Sequence, residues 1–220
     1  MCYGTKKNIA LLGYSIMKQF NTLKELSRDR FLTPNECARL CSGPNKASLL
    51  GLRDYAILKI FLNCGLRKQE IIDLKVKDFH QEGNNFWLIV HSKGGTIDEQ
   101  DIMNDRTIGA IQKYLRKSGH AEDPEAPLFQ PIKGKAKTES KKLNRRSVDF
   151  MLAKYVKKAG ILKKVSPHTL RHTFGTEFQA LTGDIKATQR AMRHRALTST
   201  MIYLHTDRDR VKRGLAQMNL

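Results

Sequence analysis

One stretch of the chain alternates like a β-strand: NNFWLIVHSKGGTIDEQDIM, residues 84–103. Trp87, Ile89 and His91 alternate with Leu88 and Val90, and Gly94-Gly95 supplies a turn, which reads as a β-hairpin. Elsewhere the apolar residues recur at helical spacing. There is no βαβ alternation and no glycine-rich phosphate loop, which argues against a nucleotide-binding α/β enzyme. The expected class is mainly α with a small antiparallel β-sheet or hairpin, an α+β fold.

The helices carry their own punctuation. In FLTPNECARLC, Thr33 is an N-cap, Pro34 suits the first turn and Glu36 completes a capping box. From Asp54, the residues Ala56, Ile57, Ile60, Phe61 and Cys64 form one helical face, and Gly65 stops it. A second helix carries Ile71, Ile72 and Leu74, and residues 107–118 and 147–159 are also helical. In SPHTLRHTFGTEFQAL, Ser166 caps and Pro167 opens a helix, with Leu170, Phe174, Phe178 and Leu181 as an apolar stripe.

Charge narrows the partners. Forty Lys and Arg against twenty-one Asp and Glu leave a formal +19. Such an excess costs self-repulsion and needs an external reason, a nucleic acid or its rival, an acidic membrane surface. Nucleic acid is the usual one, because neutralised phosphates release counterions. Between Lys133 and Lys164 there are twelve Lys and Arg and two acids, a local +10. Residues 133–146 read as a polar linker whose Lys133, Lys135, Lys137, Lys141, Lys142, Arg145 and Arg146 are candidate DNA-backbone contacts.

No stretch approaches the roughly 18 apolar residues of a membrane span. The N-terminal MCYGTKKNIALLGYSIMKQF lacks a small-residue cleavage site, so it is not read as a signal peptide. Cys2, Cys37, Cys41 and Cys64 show neither a disulfide framework nor a second zinc-ligand pair. The expectation is a cytoplasmic, DNA-associated protein with no cofactor, metal or membrane partner.

Several side chains suit phosphate chemistry. His168 and Arg171 stand three apart in the first turn of a capped helix, where free backbone N–H groups and the helix dipole favour an anion. Arg67 follows a helix-ending glycine at a backbone-fixed corner, with Glu70 three residues on; Lys93 sits at the hairpin turn. His194 and Tyr203 stand nine apart in RHRALTSTMIYLHTD. Taken alone, each has an ordinary reading as a surface cation, a paired arginine or a core aromatic.

In order and spacing, the set resembles the tyrosine recombinases, the phage-integrase family. NCGLRKQEIIDL is similar to that family's Thr-Gly-Leu-Arg-x-x-Glu-Leu box, and HSKGG to its hairpin-lysine box. SPHTLRHTF is similar to its Pro-His-x-Leu-Arg-His-Thr box, and MRHRALTSTMIYLH to its Leu-Gly-His box with the nucleophile nine residues on. The resemblance runs from about Phe31 to Leu220. It implies site-specific cleavage and rejoining of double-stranded DNA. Tyr203 would be the nucleophile forming a 3′-phosphotyrosyl link, His168 the base, and Lys93 the acid for the 5′-oxygen. Arg67 and Arg171 would hold the non-bridging oxygens, and His194 would bond the phosphate or steady the tyrosine pocket. Glu70 would orient Arg67. Two arginines, a lysine and a helix N-terminus meet the phosphate's charge without a metal. His172 is expected to be structural, and His205 has no assigned role.

Two departures stand out. Met192-Arg193 replaces the Leu-Gly pair, placing a cation that could touch DNA where glycine is expected. The second hairpin strand, TIDEQDIM, is acidic where the family is usually basic. The resemblance divides the chain into a helical or linker segment, 1–29, standing where a core-binding domain is expected, and a catalytic domain, 30–220. It also implies a homotetramer on DNA, joined through residues 207–220, and a monomer or weak oligomer without DNA. A catalytically silent DNA-binding regulator of the same fold, or a type IB topoisomerase-like enzyme, is the alternative.

Overall fold

The computed structural model describes residues 30–92, 95–133, 137–138, 141–194 and 197–201. Contacts divide the chain into two compact units, one ending at Phe174 and one starting at Gly175.

The first unit is built around a buried helix. Helix α1 (Pro34–Ser42) starts at Thr33, whose backbone N–H donates to Glu36 while its hydroxyl accepts from the Glu36 N–H, closing the expected capping box. Helix α2 (Leu49–Cys64) begins five residues before the sequence pattern suggested. Ser48 Oγ accepts from Gly51 N–H at 3.0 Å and sets that start. Its apolar residues are not confined to one stripe: Leu49, Leu52, Ala56, Ile57, Leu58, Ile60, Phe61 and Cys64 are all buried. A helix apolar all round belongs in the middle of a core.

Two charges are buried on α2, and both are paired. Arg53 donates to Asp54 and to the Gln130 carbonyl, and Tyr155 OH donates to Asp54 Oδ2 at 2.8 Å. Burial, and then the Asp54 carboxylate, push the Tyr155 phenol above its ordinary pKa. Asp54 therefore accepts from both Arg53 and Tyr155, and donors of this kind are what keep a buried pair tolerable inside a core.

Gly65, at φ 59°, ends α2 in the left-handed region and turns the chain into α3 (Lys68–Asp73). The expected hairpin is the larger part of a three-stranded antiparallel sheet: β1 (Phe79–Glu82), β2 (Asn85–His91) and β3 (Ile97–Asp101), in that order. β1 escaped the sequence reading because FHQE has no alternation of its own; it is recruited by pairing Phe79 with Leu88 and His80 with Trp87. Leu88 and Val90 face the core, Phe79 stacks on Phe86, and His80 stacks on Trp87 on the opposite face.

Helix α4 (Asp105–Ser118), capped by Asn104, packs Ile108, Ile111, Tyr114 and Leu115 against the core. In the stretch expected to be a linker, β4 (Ile132–Lys133) pairs with β5 (Lys137–Thr138). The stretch ends at Asn144, whose side chain accepts from Arg146 N–H and opens α5 (Arg145–Lys158). Arg145 and Arg146 thus lie in a helical first turn rather than a loop.

Helix α6 (Pro167–Thr182) starts as expected, with Ser166 Oγ accepting from Thr169 N–H at 3.2 Å. The apolar stripe holds only in part. Leu170 and Phe174 are buried, but Leu181 is 82% exposed, while Thr173, Thr176 and Gln179 are buried instead. The core-facing direction at the C-terminal end of α6 follows these polar residues, which helical spacing of apolar residues could not reveal.

The second unit carries the end of α6, closed by Gly183 at φ 68°, and α7 (Ile185–Ala191). Asp184 caps α7, accepting from Lys186 and Ala187 N–H groups. Thr188 Oγ1 donates to Gln179 Oε1 at 2.7 Å, joining the two helices through a buried polar contact. A 3₁₀ turn spans Leu197–Ser199.

Candidate active site

The corner after α2 places the first candidate. Arg67 is the N-cap of α3 and cannot cap with its own side chain. Glu70 does the work instead, accepting from Arg67 backbone N–H at 2.7 Å with one oxygen and from Arg67 Nη1 at 2.6 Å with the other. The ion pair is asymmetric: the Glu70 side chain is 4% exposed, the Arg67 side chain 44%. A buried carboxylate therefore holds the inner edge of the guanidinium while its outer edge faces solvent. The i,i+3 contact that would mark Arg67 as an ordinary paired arginine is also the contact that aims it.

Arg171 comes to the same place from α6. It is buried, Nη1 donates to the Gly65 carbonyl, and the same nitrogen lies 4.0 Å from Glu70 Oε2. Two guanidinium groups thus share one carboxylate, and the cluster keeps a net positive charge suited to an anion. His168, one turn before Arg171, is exposed and stands in the first turn of α6. A pocket of about 410 Å³ opens between Arg67, His168 and Arg171. Lys68, Asp149, Ser166 and Pro167 complete its wall. Among the described residues, no group of His, Cys, Asp and Glu is arranged to hold a metal.

Lys93 lies outside the described residues, but Ser92 beside it is tied to the pocket. Ser92 Oγ is 3.0 Å from Asp98 Oδ2 and 3.4 Å from Glu70 Oε1. One acid of the departing TIDEQDIM strand therefore fastens the hairpin base. Lys68 and Asp149 were not singled out from sequence. The available signals were Lys68's place next to Arg67 and Asp149's standing as one of two acids in an otherwise basic stretch.

In the second unit, His194 Nδ1 is 3.0 Å from Thr200 Oγ1, and Gln189 Nε2 donates to the His194 carbonyl. Arg193 takes φ 50°, the left-handed region. Its N–H donates to the Arg190 carbonyl and the His194 N–H to the Gln189 carbonyl, the two crossed bonds of a Schellman helix ending. Arg193 occupies the position in that ending where glycine is normally found, which gives the expected glycine a backbone reason. Its side chain is half-buried. Tyr203, His205 and residues 207–220 lie outside the described residues.

Of the basic stretch, Lys141, Arg145 and Arg146 are exposed and Lys142 pairs with Asp73 at 2.8 Å. The side chains of Lys133, Lys135 and Lys137 lie outside the described residues.

A mainly helical domain with a three-stranded sheet and two arginines lining one pocket has known counterparts. The chain belongs to the phage integrase family, whose model matches residues 30–210. It is similar to the tyrosine recombinase XerC of Pelobacter propionicus, 34% identical over 178 residues, 80% of this chain and 55% of that protein. It is also similar to that of Pelotomaculum thermopropionicum, 30% identical over 209 residues, 91% of this chain and 65% of that protein. The XerA recombinase structure superposes with a TM-score of 0.66 at 26% identity, over 86% of this chain and 66% of that one. A XerH site-specific recombinase bound to palindromic difH substrate shares the fold, with a TM-score of 0.68 at 20% identity over 85% of this chain and 52% of that one. The chain spans between about half and two thirds of the length of these relatives.

Proposed function

We propose that residues 30–220 form the catalytic domain of a site-specific DNA recombinase or integrase that cuts and rejoins strands through a 3′-phosphotyrosyl intermediate. The observation that carries this reading is the convergence of Arg67, His168 and Arg171 on one pocket, with Glu70 bracing the arginines from behind. Membership of the phage integrase family, and the names of its relatives, support it.

In the reaction, Tyr203 Oη attacks the scissile phosphorus and gives its proton to His168, since a phenol of pKa about 10 needs a base near neutrality. The phosphoryl group gains charge on its non-bridging oxygens, which Arg67 and Arg171 hold. The bond to the 5′-oxygen breaks, and Lys93 protonates the leaving oxygen. His194, steadied through Nδ1 by Thr200, bonds the phosphate. The reverse sequence, with a new 5′-hydroxyl as nucleophile, rejoins the strand and frees Tyr203. Lys133, Lys135, Lys137, Lys141, Arg145, Arg146 and Arg193 contact the flanking backbone. The working form on double-stranded DNA is a tetramer joined through residues 207–220, acting on cytoplasmic DNA.

A nicked suicide substrate drawn from the DNA flanking the coding sequence tests this. A covalent protein–DNA adduct is expected with the parent protein, and none with Tyr203→Phe, which still binds the duplex. DNA binding with no adduct from the parent protein would reduce the chain to a silent DNA-binding relative.

A further inference from the structure

We infer that Lys68 is a further phosphate-binding residue of this site, and that Asp149 is the counter-ion it exchanges for DNA. The inference rests on the function proposed above. Lys68 follows Arg67 directly and lines the same pocket. Its Nζ lies 2.8 and 2.7 Å from the two oxygens of Asp149, across from α3 to α5. Among the described residues, Asp149 is the one carboxylate in the pocket wall; the other charged groups there are Arg67, Lys68 and Arg171, with His168 at the α6 start. A phosphate entering the pocket meets that carboxylate as a like charge competing for the same ammonium.

The competition favours the phosphate. Asp149 is 46% exposed, so once released it is rehydrated at little cost, and exposed ion pairs of this kind are weakly held. The Lys68 side chain is 20% exposed, and its ammonium is a compact charge on a flexible stem. It can leave one acceptor for another without moving the backbone that positions Arg67. α3 keeps a second tie to the α5 side through Lys142 and Asp73 when the first is broken. Asp149 thus holds the pocket's lysine in place until a phosphate takes its position.

The exchange predicts a coupled pair of effects on binding of a fluorescein-labelled duplex of about 30 base pairs, titrated over roughly 50–200 mM KCl by anisotropy. Lys68→Gln is expected to make the slope of log K against log salt shallower by about 0.9, one phosphate contact, while Lys68→Arg keeps the parental slope. Asp149→Asn is expected to tighten binding several-fold at low salt, and that gain is expected to vanish in the Lys68→Gln/Asp149→Asn double variant. An unchanged slope in Lys68→Gln overturns the inference, as does an Asp149→Asn gain that persists in the double variant. Matching melting curves for the variants show that the changes are not failures to fold. A parent protein that binds steeply and forms the Tyr203 adduct while Lys68→Gln keeps its slope defeats this inference alone; a parent that does not bind the duplex defeats both it and the recombinase reading.

Discussion

Arg193 shows what a single backbone angle can demand. At φ 50° a residue with a Cβ is strained by about 1–2 kcal/mol relative to the right-handed region. The helix ending there delivers His194, so the strain is carried one residue from a candidate site group. Arg193 Nη1 lies 3.5 Å from the Ala191 carbonyl. Arg193→Gly is therefore expected to raise stability by about 1 kcal/mol and the melting temperature by about 2–4 °C. Calorimetry checks this; a lower melting temperature would mean that the arginine's packing outweighs its strain. If Arg193 also contacts DNA, the same variant binds more weakly while melting later.

At the scale of elements, the corner between α2 and α3 governs the pocket. Gly65 ends α2, accepts Arg171 through its carbonyl and precedes Arg67 by two residues. A Cβ there would stand 2.2 Å from Phe174 Cδ1, in a left-handed conformation. Gly65→Ala is expected to destabilise the domain by about 2–5 kcal/mol, the sum of the backbone and overpacking costs. It should also impair adduct formation beyond the loss of folded protein, because both arginines hang from this turn. Denaturant melts alongside adduct yield per folded molecule separate the two effects. Much of this corner was legible: the glycine stop, the arginine and its i+3 glutamate are adjacent in sequence. The start of α6 was equally legible, because Ser166 and Pro167 are local signals. What sequence could not show was set by long-range partners. β1 exists because β2 pairs with it, and Asp149 matters because α5 lies across from α3. The polar burial of Thr173, Thr176 and Gln179 likewise follows from packing rather than periodicity.

For the whole molecule, the +19 charge couples stability and binding to salt in opposite senses. Screening relieves self-repulsion, so added salt in the range of roughly 50–300 mM is expected to raise the melting temperature of the free protein. The same salt weakens DNA binding by competing with counterion release. Melting and anisotropy over one salt series check the pair of slopes. Parallel rather than opposed responses would locate the positive charge away from any phosphate track.

The Ser92 hydroxyl faces two carboxylates, Asp98 at 3.0 Å and Glu70 at 3.4 Å, and it has one proton to give. At any instant it serves one of them. Rotation about a single side-chain bond moves that proton from the hairpin to the arginine brace, with every backbone ladder bond intact. The base of the hairpin is therefore a two-position latch, one residue from Lys93, the proposed general acid.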